Sequence, residues 1–172
     1  VDSVNFWIFL CNAAAAGIMY YSVSALFRSR TAGCVSAILY TLAIYRLGNL
    51  YTRNAYGEML ALIFLPLLIL GFYEVFFRDE KKWMLLTLAM TGIMESHIIS
   101  AVLALAACAV AGLCFIRRLS ERKRLAALLS AAVCTLLLNL WFIVPFLDYM
   151  RRGMNLEALS FPAERLSISL TK

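Results

Sequence analysis

Long apolar runs, separated by short polar segments, are the feature that most constrains this chain. In the run Gly57–Phe77, no charged residue stands between Glu58 and Glu74. Such runs need an apolar solvent, because a chain of 172 residues still exposes roughly a third of the surface of its unfolded form. Hydrophobic residues make up 63% of the chain and charged residues 15%, outside the range of soluble domains. The sequence therefore predicts a protein that crosses a membrane several times, and it excludes a single-domain soluble enzyme.

Six apolar runs are the candidate membrane spans, and they are expected to be helical because hydrocarbon offers backbone polar groups no partner outside the segment. A span needs about 20 residues at a rise of about 1.5 Å each. The second run reaches that length only if it continues through Arg46, and the fourth only if it starts before Lys81. The predicted fold class is all-α, a polytopic membrane helical bundle of about six transmembrane helices. The runs are Asn5–Phe27, Thr31–Tyr45, Gly57–Phe77, Trp83–Met94, Ile98–Ile116 and Leu125–Leu147.

The basic residues indicate which side of the membrane each loop faces. With six spans, ten of the sixteen lysines and arginines lie on one side, and this asymmetry is lost if the fourth and fifth runs form one helix. The positive-inside rule then places these ten in the cytoplasm and both termini outside. The predicted domains are a transmembrane bundle over residues 1–147 and an outer loop or tail over residues 148–172. The ten are Arg28, Arg30, Arg78, Lys81, Lys82, Arg117, Arg118, Arg122, Lys123 and Arg124.

The net charge of +6 does not indicate a nucleic-acid partner, because the basic residues stand in short clusters between apolar runs. The five cysteines lie inside apolar runs and form no CxxC pair, so we interpret them as small packing residues.

No basic segment or cleavage site precedes the first run, and the first residue is Val1. The chain is therefore expected to be an internal piece of a longer membrane protein.

Ionisable residues at the outer ends of spans are the candidates for function. Arg46 and Arg53 are seven residues apart, which in an α-helix is two turns and one face, and Asn49 lies near that face. Together with Glu58, these two guanidinium groups suit a lipid phosphate or a sugar-phosphate head group at the edge of a bilayer. The alternative is an Arg53–Glu58 ion pair that only joins two helix ends.

A second candidate is the segment Glu95-Ser96-His97, which contains the single histidine of the chain. Glu95 can orient the imidazole of His97 so that it donates to a phosphate or takes a proton. The alternative is a polar helix cap, with Ser96 at the start of the fifth span. One histidine without an outer cysteine cannot supply the ligands of a zinc site, so no metal site is predicted. Near the inner end of the third span, Glu74 is expected to pair with Arg78.

Several segments of the chain resemble a family of bacterial membrane proteins, the YfhO-type proteins, which include a group labelled "6-pyruvoyl-tetrahydropterin synthase related". The resemblance is most specific in Asn49–Glu58, which reads Asn-Leu-Tyr-Thr-Arg-Asn-Ala-Tyr-Gly-Glu, and it continues into Phe64-Leu65-Pro66-Leu67. The later Ser96-His97 is similar to a Ser-His pair of the same group. These proteins in turn resemble the GT-C superfamily of integral-membrane glycosyltransferases.

The resemblance implies a GT-C-like bundle in a bacterial cytoplasmic membrane, a polyprenyl-phosphate-linked sugar donor, and an acceptor on the outer side. It also implies a catalytic aspartate in a first outer loop that has no counterpart here, so no catalytic residue is assigned. The rival classes are a lipid or polysaccharide transporter, such as a flippase, and a structural membrane subunit. No cofactor is predicted, and the need for a divalent metal and the oligomeric state stay open. The residues expected to bind the lipid phosphate are Arg46, Arg53, Glu58, His97, Asn49 and Glu95.

Overall fold

The computed structural model describes residues 2–151, and every regular element in this range is a helix. Contacts divide the chain into two compact units, Val1–Asn139 and Leu140–Lys172. Of the second unit, the described residues form one helix that ends at Arg151, so the predicted outer tail lies outside the described residues from residue 152 onward. The helices are α1 (Asp2–Phe27), α2 (Arg30–Thr41), α3 (Ile44–Leu47), α4 (Tyr56–Tyr73), α5 (Trp83–Ser96), α6 (Ile98–Cys114), α7 (Ile116–Leu119), α8 (Arg122–Leu138) and α9 (Leu140–Arg151).

The helices confirm the prediction of an all-α chain for residues 2–151. Two helical segments, Ser3–Phe27 and Tyr56–Arg78, are long and apolar enough to cross a membrane. The number rises to four if each of two interrupted helix pairs forms one span, and α6 is a shorter apolar helix. By length and composition the structure therefore supports two to four candidate spans.

The second predicted span is interrupted. α2 ends at Thr41, whose hydroxyl donates to the Ala37 carbonyl at 2.9 Å, and the chain becomes helical again at Ile44 with a bend of 41°. Side-chain hydroxyls that bond to carbonyls of the preceding turn bend helices in this way. The sequence predicted one continuous helix over Thr31–Tyr45, and that prediction is wrong, because residues 44–52 form a short segment with its own direction.

This short segment ends in a π-helical turn, Gly48–Thr52. The N–H of Arg53 donates to the carbonyl of Gly48, five residues earlier, at 2.9 Å. Asn54 then leaves the helix at a φ of 52°, a left-handed conformation that asparagine adopts more readily than most residues. The wider turn changes which side chains share a face, so the α-helical spacing that placed Arg46 beside Arg53 does not hold here.

α4 is the central helix of the first unit, and it packs against α1, α5 and α6. In the most apolar 18 residues of the segment Tyr56–Arg78, which contains α4, 56% of the residues are buried, whereas the corresponding share for α1 is 17%. A Cβ added at Gly71 would lie 2.8 Å from the backbone nitrogen of Leu86, so α4 and α5 approach each other backbone to backbone. The core around this contact includes Leu67, Leu70, Val75, Phe76, Ala89 and Ile93.

Pro66 lies inside α4 and leaves a gap in its hydrogen bonds. Proline has no N–H, so the carbonyl of Leu62, four residues earlier, lacks its helical donor. The hydroxyl of Tyr40 on α2 donates to this carbonyl at 2.5 Å. The side chain of Tyr40 therefore joins α2 to α4 at the point where the proline has freed a carbonyl to accept.

A buried carboxylate holds the opposite end of α4 to its neighbours. Glu74 is 2% exposed and forms ion pairs with Arg78 at 3.2 Å and with Lys82 at 3.1 Å. Arg78 also donates to the carbonyls of Ala25 and Leu26, at 2.7 and 2.8 Å, and these carbonyls belong to the last turn of α1. The predicted Glu74–Arg78 pair is thus confirmed, and it connects α4 to α1.

Candidate functional site

A polar cluster lies at the end of the bundle where α4 begins. Glu58, in the first turn of α4, accepts a hydrogen bond from the hydroxyl of Tyr45 and forms an ion pair with Arg53 at 3.5 Å. Arg53 also donates to the side-chain oxygen of Asn49 at 2.9 Å. The side chain of Arg53 is 59% exposed, so its guanidinium group is accessible from outside the bundle.

Arg46 points the other way, into the bundle. It is 3% exposed and donates to the side-chain oxygen of Asn12 on α1 at 3.2 Å. Its guanidinium carbon lies 5.1 Å from the centre of the Tyr40 ring, within the range of a cation–π interaction. The structure therefore gives Arg46 and Arg53 different partners and different exposure, instead of the shared face that the sequence predicted.

Asn49 contacts Arg53 and is 1% exposed. Its side-chain oxygen accepts from Arg53, and its side-chain nitrogen has no partner within residues 2–151. Asn49 therefore positions Arg53, and it leaves one buried donor unused.

His97 caps the N-terminus of α6. Its Nδ1 accepts the backbone N–H of Ser100 at 3.3 Å and lies 2.9 Å from the Ser100 hydroxyl oxygen, so in the neutral imidazole the proton is on Nε2. The partner of the imidazole is thus Ser100, and within residues 2–151 neither a hydrogen bond nor an ion pair joins His97 to the exposed Glu95. The predicted cap residue Ser96 instead donates to the carbonyl of Gly92 at 2.6 Å.

The turn that carries His97 lies directly against the start of α4. A Cβ added at Gly57 would be 2.9 Å from the carbonyl oxygen of Ser96 and 3.6 Å from Cδ2 of His97. Only glycine allows this approach, because any side chain would collide with a backbone atom. The close contact places the start of α6 beside the turn that carries Glu58.

A cleft of about 300 Å³, which we call the α4–α6 cleft, lies between these two helices. Its length follows from the helical rise, since the eight residues from Glu58 to Leu65 span roughly 10 Å. Polar side chains stand at one end and apolar side chains line the rest, so the cleft is amphipathic along its axis. The polar residues are Tyr45, Glu58 and Ser100, and the apolar residues are Ala61, Leu62, Leu65, Ile93, Leu103, Ala104 and Ala107.

This arrangement suits an amphiphile with an anionic or hydroxylated head. The apolar part of the cleft can take a hydrocarbon chain, and Arg53 can donate to a phosphate beside its polar end. Residues 2–151 contain no cluster of three histidine, cysteine, aspartate or glutamate side chains that could hold a metal ion.

Sequence reasoning found Arg53 and Glu58 but missed the cleft that lies beside them. Tyr45 and Ser100 are ordinary residues in the sequence, and the small residues Ala61 and Ala104 show their importance only once α4 and α6 are packed together. The spacing of Ser100, three residues after His97 at a helix start, is the one signal that sequence alone offered.

Comparison of the chain with protein-family models, with curated proteins and with solved structures gives no match.

Proposed function

We propose that this chain is the membrane-embedded, substrate-holding part of a glycosyltransferase that uses a polyprenyl-phosphate-linked sugar donor and an outer-side acceptor. In this proposal the helices belong to a GT-C-like bundle of about six spans in a bacterial inner membrane. The chain binds and orients the donor, and no catalytic residue is assigned to it.

The observation that carries the proposal is the amphipathic α4–α6 cleft. An isoprenoid chain has no polar atoms, so the apolar walls can hold it without leaving a polar group of the ligand unpaired. The walls include Ala61 and Ala104, whose small side chains leave the space that the chain fills. The hydroxyls of a sugar can bond to Glu58 and Tyr45 at the polar end.

Arg53 is the group that faces the donor's phosphate. An exposed ion pair such as Arg53–Glu58 contributes only about 0–1 kcal/mol, so Arg53 can exchange part of this contact for a phosphate at little cost. The guanidinium group forms paired hydrogen bonds to phosphate oxygens and stabilises charge that develops as the lipid phosphate departs. Arg53 is held by Asn49 and by Glu58, and Glu58 lines the polar end of the cleft.

Binding of two ligands to the purified chain in nanodiscs tests the proposal. Polyprenyl phosphate carries the phosphate, and the corresponding polyprenol lacks it. We expect Arg53→Gln to weaken binding of polyprenyl phosphate about tenfold, which corresponds to about 1.4 kcal/mol, and to leave polyprenol binding unchanged. Arg53→Lys keeps the charge but not the paired hydrogen bonds, so it should weaken binding of polyprenyl phosphate by less than Arg53→Gln does. Ala104→Phe fills the cleft and should weaken binding of both ligands.

Two matched variants control this experiment. Arg30→Gln removes an exposed arginine at the start of α2, and Ala106→Phe adds a ring to an exposed position of α6 that does not line the cleft. Both should bind the two ligands as the unchanged chain does. Equal affinity for polyprenyl phosphate in all the variants would contradict the proposal, as would an Ala104→Phe chain that binds normally.

A lipid or polysaccharide transporter is the second candidate, and the interrupted helix α2–α3 favours it. Transporters build their sites from broken helices with charged groups inside the bundle, and Arg46 follows such a break. Proteoliposomes distinguish the two functions. A transporter moves a fluorescent polyprenyl-phosphate lipid between leaflets without an acceptor, whereas the glycosyltransferase part binds the lipid and leaves its leaflet distribution unchanged.

A further inference from the structure

A second apolar groove, which we call the α6–α8 groove, lies at the end of the bundle opposite to Glu58. Phe72, which lines this groove, stands in the last turn of α4, whereas Glu58 stands in the first. The groove has a volume of about 390 Å³. Leu113 on its wall is 66% exposed, so the groove is open to the outside of the bundle. Its walls include Phe72, Phe76, Cys108, Gly112, Leu113 and Leu128.

A basic turn, which comprises residues 116–124, joins α6 to α8 beside this groove. The turn contributes Leu119 to the groove wall, 3.7 Å from a Cβ added at Gly112. Glu121 is the one acidic residue of the turn, and it forms an ion pair with Arg124 at 2.7 Å. Among residues 2–151, no carboxylate lies within ion-pair distance of the other four cations of the turn. These four exposed residues are Arg117, Arg118, Arg122 and Lys123.

The charges of the basic turn are unfavourable without a counter-charge. Arg122 and Lys123 stand in the first turn of α8, which contains no acidic residue. This is the positive end of the helix dipole, where cations are destabilising. Four like charges within a few residues also repel one another. An anion beside the turn relieves both effects.

Arg118 connects the basic turn to the groove. Its guanidinium carbon lies 5.4 Å from the centre of the Phe77 ring, within the range of a cation–π interaction. The centre of this ring is 6.5 Å from that of Phe76, which lines the groove. A single amphiphile can therefore contact Arg118 with an anionic head while its hydrocarbon chain lies in the groove.

We propose that the α6–α8 groove binds an anionic phospholipid of the phosphatidylglycerol class, with an acyl chain in the groove and the phosphate against the basic turn. Clusters of four or more lysines and arginines beside a membrane helix attract anionic head groups. Phosphatidylcholine fits less well, because its head group carries a cation of its own. The site goes beyond the proposed function, since it shares no lining residue with the α4–α6 cleft.

Native mass spectrometry of the detergent-solubilised chain tests this site. The chain is titrated with phosphatidylglycerol and with phosphatidylcholine of the same acyl chains, and the Kd of the first bound lipid is measured for each. We expect the unchanged chain to bind phosphatidylglycerol about tenfold more tightly. The double variant Arg117→Gln, Arg118→Gln should reduce this preference to about twofold or less. Equal Kd values for the two lipids in the unchanged chain would overturn the proposal.

The double variant Arg28→Gln, Arg30→Gln is the matched charge control. It also removes two exposed arginines, but from the turn between α1 and α2. This control should keep the preference of the unchanged chain for phosphatidylglycerol. An equal loss of preference in the two double variants would show that lipid binding follows the net charge of the chain, and it would overturn the site.

A second pair of variants tests the groove itself. Ala109 lines the α6–α8 groove, whereas Ala106 is an exposed residue of the same helix that lines neither the groove nor the α4–α6 cleft. Ala109→Phe should weaken binding of phosphatidylglycerol about tenfold, because the ring takes the space of the acyl chain. Ala106→Phe should bind it normally. Equal binding by these two variants would overturn the groove as the site of the acyl chain.

The variant Ala104→Phe separates this proposal from the proposed function. It fills the α4–α6 cleft and should bind phosphatidylglycerol as the unchanged chain does. Polyprenyl phosphate is then added to this variant as a competitor, and we expect phosphatidylglycerol to stay bound. Displacement by polyprenyl phosphate would assign the groove to an isoprenoid phosphate and overturn the phospholipid.

Discussion

Replacing Tyr40 with phenylalanine removes one hydroxyl and tests how α4 accommodates Pro66. The ring stays in place, so its contact with Arg46 is kept, while the carbonyl of Leu62 loses the donor that replaces the missing helical one. A carbonyl left without a partner in a protein interior costs about 1–3 kcal/mol. We therefore expect Tyr40→Phe to lower the free energy of unfolding by about that amount. For a chain of this length, each kcal/mol shifts the Tm by about 2–4 °C.

A double-mutant cycle with Pro66→Ala isolates this bond. Alanine restores an N–H at position 66 that can donate to Leu62, so the Tyr40 hydroxyl is no longer required. In the Pro66→Ala background, Tyr40→Phe should cost less than about 0.5 kcal/mol. Tyr51→Phe is the matched control, because Tyr51 is 68% exposed and its loss of a hydroxyl should be neutral.

The cycle is measured by unfolding in mixed micelles, followed by tryptophan fluorescence from the three tryptophans of the chain. The reasoning predicts that the cost of Tyr40→Phe depends on the residue at position 66. An equal loss of stability with Pro66 present and in the Pro66→Ala background would refute it, because the hydroxyl would then act through some other contact.

Two further predictions concern the packing of α4. Glu74→Gln removes the charge of a buried carboxylate that has two cationic partners. It should lower the free energy of unfolding by about 2–3 kcal/mol, between the values for exposed and fully buried ion pairs. Glu95→Gln, on an exposed side chain, is the control, and equal stability of the two variants would contradict the prediction. Gly71→Ala should lower the free energy of unfolding by about 1–3 kcal/mol, because its methyl group would meet the backbone of α5. Gly17 has open space around it, so Gly17→Ala should be neutral or stabilising by up to about 1 kcal/mol in the same assay. A loss of stability at Gly17 as large as that at Gly71 would show that helix contact is not the cause.

The positions of most helices could be predicted from the apolar runs alone. The helices α1, α4 and α6 lie within or close to the predicted runs Asn5–Phe27, Gly57–Phe77 and Ile98–Ile116, because hydrocarbon and protein interiors both select apolar side chains. Such runs do not show where a helix is interrupted. The break after Thr41 is accompanied by hydroxyl–carbonyl bonds. A break at Asn139 stands inside the sixth predicted run, where a single polar residue did not divide the run.

The residues of the candidate site could be predicted only in part. Arg53 and Glu58 stood out because charged groups are rare beside apolar runs, and the structure brings them together. The pairing of Arg46 with Arg53 was predicted from α-helical spacing, and the π-helical turn between them removes that relation. Local sequence does not reveal such a turn, because the same residues can also form an α-helical turn. The partner of His97 was within reach of the sequence, since Ser100 lies three residues later in the first turn of α6.

The central claim is that the α4–α6 cleft holds the hydrocarbon chain of a phosphate-linked lipid. Photo-crosslinking with a polyprenyl phosphate that carries a diazirine in its isoprenoid chain tests this claim most directly, because mass spectrometry then identifies the labelled residues. We expect labels on Leu62, Leu103 and Ala104, and we expect unlabelled polyprenyl phosphate to compete with them. Labels that are spread over exposed apolar residues outside the cleft, such as Leu129, and that resist competition, would contradict this claim.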